Sequence, residues 1–185
     1  MGSEEKIDIN VFKVVTRAIR ESDNLEIMAN HLIQLLVVTL EIKGGTIFAL
    51  NPETRELEVL ASFGLSMGYL NKGPLIFDKS IGGAAEKDSV VIPDISRTDR
   101  LQYPEEARKE GIAAIVSVPI LFYGDTIGTL RLYHHEIWKI SDRDLDSLIL
   151  LAENIGLAMQ YTRLLNTVQA MKEVLRESPL DPNSF

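Results

Sequence analysis

The chain contains no cysteine among its 185 residues. This excludes a disulfide framework, a thiol nucleophile, a thioether-linked chromophore and a cysteine-bound iron–sulfur cluster. Long hydrophobic runs are missing too, because the most apolar stretch, 35–40, is far shorter than the roughly 20 residues that cross a bilayer. The sequence does not open with a basic and then apolar signal pattern. We therefore expect a cytoplasmic protein without direct membrane insertion.

Positive charge is also scarce. Lys and Arg number 19 against 27 Asp and Glu, which gives a formal net charge of −8. Nucleic acids bind basic surfaces, so a nucleic acid is not an expected partner. Hydrophobic residues make up 45% of the chain, which is enough for one domain with a sizeable core.

The stretch 113–133 predicts a central β-hairpin. Both arms are rich in β-branched and aromatic residues, and Gly124-Asp125 predicts a tight turn of type II′. The first arm is apolar on both faces except at Ser117, which indicates that other structure covers it on both sides. The hairpin should therefore lie at the centre of the fold.

The second arm of this hairpin has one polar face. Side chains alternate across a strand, so Thr129, Arg131 and Tyr133 point to the same side and the intervening apolar residues point to the other. We expect binding to occur on this polar face.

Helices are predicted at both ends of the chain. Apolar residues spaced three and four apart indicate an amphipathic helix over 7–20. A capping box at Asp23 and Glu26 indicates a second helix that ends near Glu41. A third helix begins at Ser141 and could run about 37 residues, or roughly 55 Å at 1.5 Å per residue.

Shorter elements are predicted between these helices. They are a hairpin over 46–61, a long loop over 64–78, a short helix over 80–87, a short strand over 89–92, a polar loop over 94–100 and a helix over 104–110. Long loops in compact domains are often lids, so the 64–78 loop is a candidate lid, and a packed loop without a ligand is the alternative.

The second half of the last helix carries a coiled-coil seam. Apolar residues recur at alternating spacings of four and three, at Leu157, Tyr161, Leu164, Val168, Met171 and Leu175. A helix that extends beyond its own domain needs a partner, so we predict a homodimer. The first helix is expected to contribute Val11, Val15 and Ala18 to the same dimer.

The order of elements resembles the GAF domain. Three segments carry the resemblance: VVIPDISRTDR at 90–100, GIAAIVSVPILFYGDTIGTLRLY at 111–133 and SDRDLDSLILLAENIGLAM at 141–159. The resemblance spans about 24–161. It implies an α+β fold with a GAF-like central antiparallel sheet of five or six strands, helices packed on one face, a small-molecule pocket on the other and a long C-terminal helix.

The resemblance also assigns the parts of the chain. Residues 7–162 are expected to form a GAF-like sensory domain, and 163–178 a coiled-coil extension of the signalling helix. Residues 1–6 are expected to be a disordered leader and 179–185 a linker or tail, so the chain is expected to be a fragment linked to an output domain.

Family members that bind cofactors do so with motifs that this sequence largely lacks. The positions matching the cyclic-nucleotide motif are His134-His135, Ile140 and Asp144-Leu145, of which only Asp144 agrees, so a cyclic nucleotide is not expected. Bilin attachment and methionine sulfoxide reduction ordinarily need cysteines. Haem binding through His134 or His135 is not expected either, because adjacent strand residues point to opposite faces. No cofactor is predicted.

The candidate site is a binding site rather than a catalytic one. No nucleophile–base pair, metal-ligand spacing or carboxylate dyad stands out, so no catalytic residue and no metal site are predicted. The binding residues are expected to come from the central hairpin, from the polar loop and from above the pocket: Ser117, Thr129, Arg131, Tyr133, Asp94, Asp99, Arg100, Phe63 and Tyr69. A buried Arg131 must be paired, either by a ligand anion or by Asp94 or Asp99.

Two functions remain open at this point. The first is a non-catalytic, small-molecule-sensing regulatory domain of a bacterial signal-transduction protein, such as a histidine kinase of a two-component system, that couples pocket occupancy to a dimeric helical output. The second is a ligand-free GAF-like module for dimerisation or protein interaction.

Overall fold

A computed structural model describes residues 7, 9–21, 24–81, 83 and 87–177, without the side chains at 14, 15, 18, 21 and 177. The predicted leader, the tail over 179–185 and half of the predicted helix over 80–87 lie outside these residues. So do the side chains of Val15 and Ala18, two of the expected dimer contacts.

The described residues form a five-stranded antiparallel sheet in the order β2-β1-β5-β4-β3. Its strands are β1 Gly44–Leu50, β2 Leu57–Phe63, β3 Val90–Ile92, β4 Ala114–Phe122 and β5 Asp125–His134. The predicted α+β class, antiparallel sheet and long C-terminal helix are confirmed. The predicted hairpin over 113–133 supplies two of the three inner strands, β4 and β5.

The turn of the central hairpin differs from the prediction. Phe122 pairs with Asp125, so the two turn residues are Tyr123 and Gly124, with φ angles of 50° and 82°. Positive φ at both positions defines a type I′ turn, not a type II′ turn at Gly124-Asp125. The strand register also shifts by one residue near Ile127, which indicates a β-bulge. The pattern of apolar residues in the sequence does not reveal such a bulge.

The described part of the chain has five α-helices: α1 Ile9–Glu21, α2 Leu25–Leu40, α3 Met67–Leu70, α4 Pro104–Lys109 and α5 Asp142–Glu177. The cap of α2 is Asn24, whose side chain accepts a hydrogen bond from the Ile27 amide, in place of the predicted Asp23. Ser141 caps α5 as expected, because its Oγ accepts from the Asp144 amide at 3.1 Å. Within the described part of the chain, no helix is long and apolar enough to span a membrane.

The long helices cover one face of the sheet. Leu36 of α2, Leu148 of α5 and Leu130 of β5 are fully buried in one apolar cluster. Helix α5 lies directly on β4, because a Cβ built at Gly156 would stand 2.9 Å from the Leu121 carbonyl oxygen. This glycine is what permits the close helix–strand approach.

Val11 belongs to the same apolar cluster and is only 5% exposed. It packs within its own chain, so a single chain does not present this side chain for dimer contact, and its assignment to the dimer stays a prediction. Helix α1 packs against α2 and α5.

The second face of the sheet is covered by the short elements. Helices α3 and α4 and the 3₁₀ turns Phe77–Lys79 and Ile95–Arg97 lie on this side. Two smaller apolar clusters form beneath them, one around Tyr133 and one around Phe48. The 64–78 segment is therefore a packed cover that contains α3, not a loop without structure.

Candidate functional site

The polar face of β5 is buried beneath this cover. Thr129, Arg131 and Tyr133 are 1%, 5% and 2% exposed, and they share one face of the strand as predicted. The sheet register pairs Arg131 with Thr46 of β1 on one side and with Ser117 of β4 on the other. Arg131 therefore lies at the centre of the sheet.

Arg131 is held by neutral groups. Its Nε donates to Ser117 Oγ at 3.3 Å and its Nη2 donates to Ser80 Oγ at 2.9 Å. The guanidinium carbon lies 5.4 Å from the centre of the Phe48 ring. Burial lowers the pKa of Arg131, yet a guanidinium titrates so far above neutral pH that the group stays charged.

Two tyrosines flank this cation without neutralising it. The Tyr69 and Tyr133 rings meet edge to face, with 5.8 Å between their centres. Burial raises the pKa of both hydroxyls, so both remain neutral phenols. The Thr46 hydroxyl lies beside the Tyr133 phenol.

The predicted aspartates lie elsewhere. Asp94 caps the 3₁₀ turn and accepts from the Ser96 amide and hydroxyl at 2.9 and 2.6 Å, and it pairs with Arg97 at 3.3 Å. The hydrogen bonds from Ser96 lower the Asp94 pKa. Asp99 is exposed. Neither aspartate pairs with Arg131, so the internal salt bridge considered from the sequence is absent from the described residues.

Two further predicted residues are not in the cluster. Phe63 is 38% exposed and pairs with Gly45, so it is directed to the helix-covered side of the sheet. Arg100 is exposed, and its Nη2 donates to the Ile81 carbonyl at 3.3 Å. Tyr69, Ser117, Thr129, Arg131 and Tyr133 are the predicted residues that the fold brings together.

Sequence reasoning missed a second cation, Lys72, which follows α3. Its Nζ donates to the Tyr69 carbonyl at 2.9 Å and lies 3.8 Å from the centre of the Tyr69 ring. Burial and then the charge of Arg131 lower the pKa of Lys72 to about 8. Ser80 was missed as well. Both residues come from segments without periodicity, so no sequence pattern pointed to them.

A polar contact holds the cover in place. The Ser66 amide donates to Glu110 Oε1 at 2.9 Å, and Lys43 Nζ lies 3.4 Å from the same carboxylate oxygen. Burial alone would raise the pKa of Glu110, but the hydrogen bonds from Ser66 and the charge of Lys43 lower it. Glu110 therefore fastens the start of α3 to the end of α4 and to the strand entry at Lys43.

Two cavities lie under the cover. The larger, of about 290 Å³, is lined by Thr46, Phe48, Glu56, Leu57, Glu58, Val59, Tyr69, Leu70, Lys72, Gly73, Leu75 and Tyr133. The smaller, of about 20 Å³, lies against Arg131 and Ser80 and has room for about one water molecule. Both cavities share Tyr69, Lys72, Leu75 and Tyr133, so these side chains separate Arg131 from the larger space.

The predicted seam residues of α5 are exposed, ranging from 39% at Val168 to 76% at Leu175. From Arg163 onward nearly every side chain of the helix is open to solvent. The seam is therefore uncovered in a single chain.

The fold and the cavity define a single-sheet α+β domain with long helices on one face and an enclosed polar cluster on the other. The family model of the GAF domain matches residues 22–160, and the chain belongs to that family. No sequence among the curated proteins matches the chain.

Solved structures share this fold at low identity. The GAF domain of a phosphoenolpyruvate-protein phosphotransferase from Coxiella burnetii is 17% identical with a TM-score of 0.76, over 86% of this chain and 96% of that one. A domain of a putative two-component sensor histidine kinase from Sinorhizobium meliloti is 18% identical with a TM-score of 0.64, over 80% and 99%. The free methionine-R-sulfoxide reductase of Neisseria meningitidis is 13% identical with a TM-score of 0.71, over 89% and 96%.

Proposed function

We propose that this chain is the sensory domain of a cytoplasmic bacterial signalling protein. A small molecule binds between the sheet and its cover, and the resulting shift of the sheet moves α5 and an attached output domain. The observation that carries the proposal is the position of the β4–β5 hairpin, which presents Arg131 to the smaller cavity on one face and supports α5 on the other. A shift of the hairpin caused by a ligand on one face would therefore act directly on α5, which packs on the other face.

The comparisons support a signalling role. The structural relatives include a domain of a putative sensor histidine kinase and a methyl-accepting chemotaxis protein. Proteins of these two kinds transmit signals, which fits a domain whose last helix extends from the sheet.

A homodimer forms through the α5 seam in this proposal. The exposed residues at one set of seam positions are Leu157, Leu164 and Met171, and those at the other set are Tyr161, Val168 and Leu175. The pairing of leucine with a β-branched residue that favours parallel two-stranded coiled coils occurs once in this seam, at Leu164 and Val168. A parallel dimer would carry both α5 helices in the same direction toward two output domains.

We propose that the domain itself is regulatory and has no catalytic activity. One structural relative is a methionine sulfoxide reductase. A thiol could supply the electrons to reduce a sulfoxide, and this sequence has no cysteine. The buried cluster also places no base beside a nucleophile among the described residues. No cofactor is part of the proposal.

One observation favours the second candidate, a ligand-free dimerisation or interaction module. Only about 20 Å³ is open beside Arg131, so this part of the pocket is closed. A permanently closed pocket would leave the α5 seam as the working surface.

Native mass spectrometry of the gently purified chain tests the proposal. We expect a dimer that carries a discrete additional mass lost on denaturation. The double variant Leu164→Asp with Val168→Asp should be a monomer, whereas the control Asn166→Asp with Gln169→Asp adds the same charge away from the seam and should stay dimeric. A dimer with no bound mass would favour the interaction module, and an undisturbed dimer in the seam variant would contradict the proposed seam.

A further inference from the structure

We propose that the ligand of this pocket is a small organic monocarboxylate, with its carboxylate on Arg131 and Lys72 and its apolar body in the 290 Å³ cavity. This inference rests on the proposed sensory function, because it assigns a chemical class to the molecule sensed. It depends on the charge, the hydrogen-bonding capacity and the wall composition of the site.

The charge of the cluster is positive and unbalanced. Arg131 is buried, and among the described residues it donates hydrogen bonds to neutral acceptors, the hydroxyls of Ser117 and Ser80. Lys72 adds a second positive charge against the same tyrosines. Two acids, Glu106 and Glu110, act on Lys72, and Glu110 is already engaged by Ser66 and Lys43. A buried guanidinium without a carboxylate is costly, and an entering anion would remove that cost.

The site also has unused hydrogen-bonding capacity. A guanidinium has five N–H donors in a planar fork, and it binds a carboxylate through two parallel hydrogen bonds. On the same strand face, the Thr129 hydroxyl is 1% exposed and has no hydrogen-bond partner among the residues described. The unused N–H donors of Arg131, which lines the smaller cavity, indicate a place for an acceptor that the described residues do not supply.

The cavity walls determine what accompanies the carboxylate. Phe48, Leu57, Val59, Leu70 and Leu75 line one part of the larger cavity, so the body of the ligand would meet apolar side chains there. Its volume of about 290 Å³ is just below the range of small-molecule pockets, roughly 300–1,000 Å³. The ligand is therefore small, with an apolar part.

Two glutamates limit the ligand to one negative charge. Glu56 and Glu58 line the larger cavity, and Glu58 is exposed, which places it at the solvent end. A second carboxylate on the ligand would meet these like charges. A monocarboxylate can pair with Arg131 and Lys72 and places no negative charge near Glu56 and Glu58.

Reaching Arg131 requires the cover to adjust. Tyr69 and Leu75, which separate the two cavities, both belong to the 64–78 segment. Movement of this segment would join the cavities into one. Ligand binding would therefore change the cover directly, as the sensory proposal requires.

Calorimetric titration of the whole chain tests the inference. The probes are hexanoate and benzoate, their amides hexanamide and benzamide, the dicarboxylate adipate and inorganic phosphate, each up to about 10 mM, where even a millimolar Kd gives substantial occupancy. We expect hexanoate or benzoate to bind one site per chain, with at least a tenfold preference over the matching amide and over adipate.

Variants identify the site. Arg131→Met should lower the affinity for the carboxylate by tenfold or more, and Lys72→Met should lower it severalfold. Lys72→Met also keeps the test valid if Arg131→Met folds poorly, because Lys72 lies on the cover rather than within the sheet. The control Arg108→Met removes a guanidinium that is exposed and paired with Glu105 on α4, and it should bind like the wild type.

Several results would overturn the inference: equal binding of amides and carboxylates, binding of phosphate alone, equal binding by the wild type and both site variants, or no monocarboxylate binding. The sensory proposal fails in a different way. If an amide binds and shifts α5, the sensor stands and the carboxylate class is wrong. If a monocarboxylate binds at Arg131 and α5 does not move, the site stands and the sensor is wrong.

Discussion

The two faces of the sheet differ in what they bury. The helix-covered face buries an apolar cluster that includes Leu36, Leu130 and Leu148, all closed to solvent. The opposite face buries Arg131 and the Thr129 hydroxyl at the cost of dehydrating them. The helix-covered face therefore buries one larger apolar cluster, and the opposite face combines two smaller apolar clusters with polar groups whose burial folding alone does not favour.

Adjacent residues of β5 give the largest test of this difference. Leu130→Ala removes a fully buried side chain from the apolar face and should lower the free energy of unfolding by about 2–5 kcal/mol. Thr129→Val replaces an unpartnered buried hydroxyl by a methyl group of similar shape, and it should be neutral or stabilise by about 1 kcal/mol. Urea unfolding measures both. A comparable loss in the two variants would contradict the distinction between the faces.

Arg131→Met also tests the difference between the two faces of the sheet, because it removes the buried charge from the polar face. Replacing a buried charge by an apolar side chain of similar length is often neutral or stabilising by about 1–4 kcal/mol. We expect the ligand-free variant to unfold at the same or a higher urea concentration than the wild type. A strong loss of stability in this variant would mean that Arg131 supports the fold rather than recognition.

The contact between Ser66 and Glu110 tests the cover alone. Glu110→Gln should weaken it by about 1 kcal/mol, because a charged acceptor is lost. Hydrogen exchange should increase over α3 and remain unchanged over α2, which serves as the internal control. Uniform protection in the variant would show that other contacts hold the cover.

Acidification should act on the same contact. The Glu110 pKa is lowered in the folded state, so its contribution to stability is present above the ordinary carboxyl pKa and is lost as the pH falls through the lowered value. We expect exchange over α3 to rise in acid in the wild type and to change less in Glu110→Gln. An identical acid response in both proteins would exclude Glu110 as its cause.

The smallest expected effect concerns the pH dependence of binding. Lys72, with a pKa of about 8, is faced by Arg131, which opposes its protonation, by Glu106 and Glu110, which favour it, and by Tyr69. A bound carboxylate favours the protonated lysine, so affinity should fall severalfold as the pH rises through about 8. Titrations at several pH values measure this, and Lys72→Met should remove the dependence. If the affinity of Lys72→Met still falls as the pH rises through about 8, another group causes the pH dependence.

Much of the sheet could be predicted from the sequence, because its strands have strong local patterns. The period of two along β5 correctly placed Thr129, Arg131 and Tyr133 on one buried face. The serine cap of α5 also has a local origin, since Ser141 and Asp144 are three residues apart.

The rest of the candidate site depends on contacts between distant segments. Ser80 reaches Arg131 across 51 residues, and Glu110 reaches Ser66 across 44. Ser80 and Glu110 lie in segments that the sequence predicted as short helices, but a short local pattern does not show which distant residue a side chain contacts. Asp94 illustrates the opposite error, because a short-range hydrogen bond to Ser96 satisfies a carboxylate that the sequence suggested as a partner for Arg131.

The most direct test of the central claim is a distance measurement between the two α5 helices of the proposed dimer. The chain has no cysteine, so Glu173→Cys, at an exposed position of α5, gives a single site for a spin label. Pulsed electron paramagnetic resonance then measures the distance between labels with and without the monocarboxylate that binds most tightly. We predict a shifted distance distribution when the ligand is present and no shift when Arg131→Met is added. An unchanged distribution at saturating ligand in the otherwise wild-type chain would contradict the sensory function.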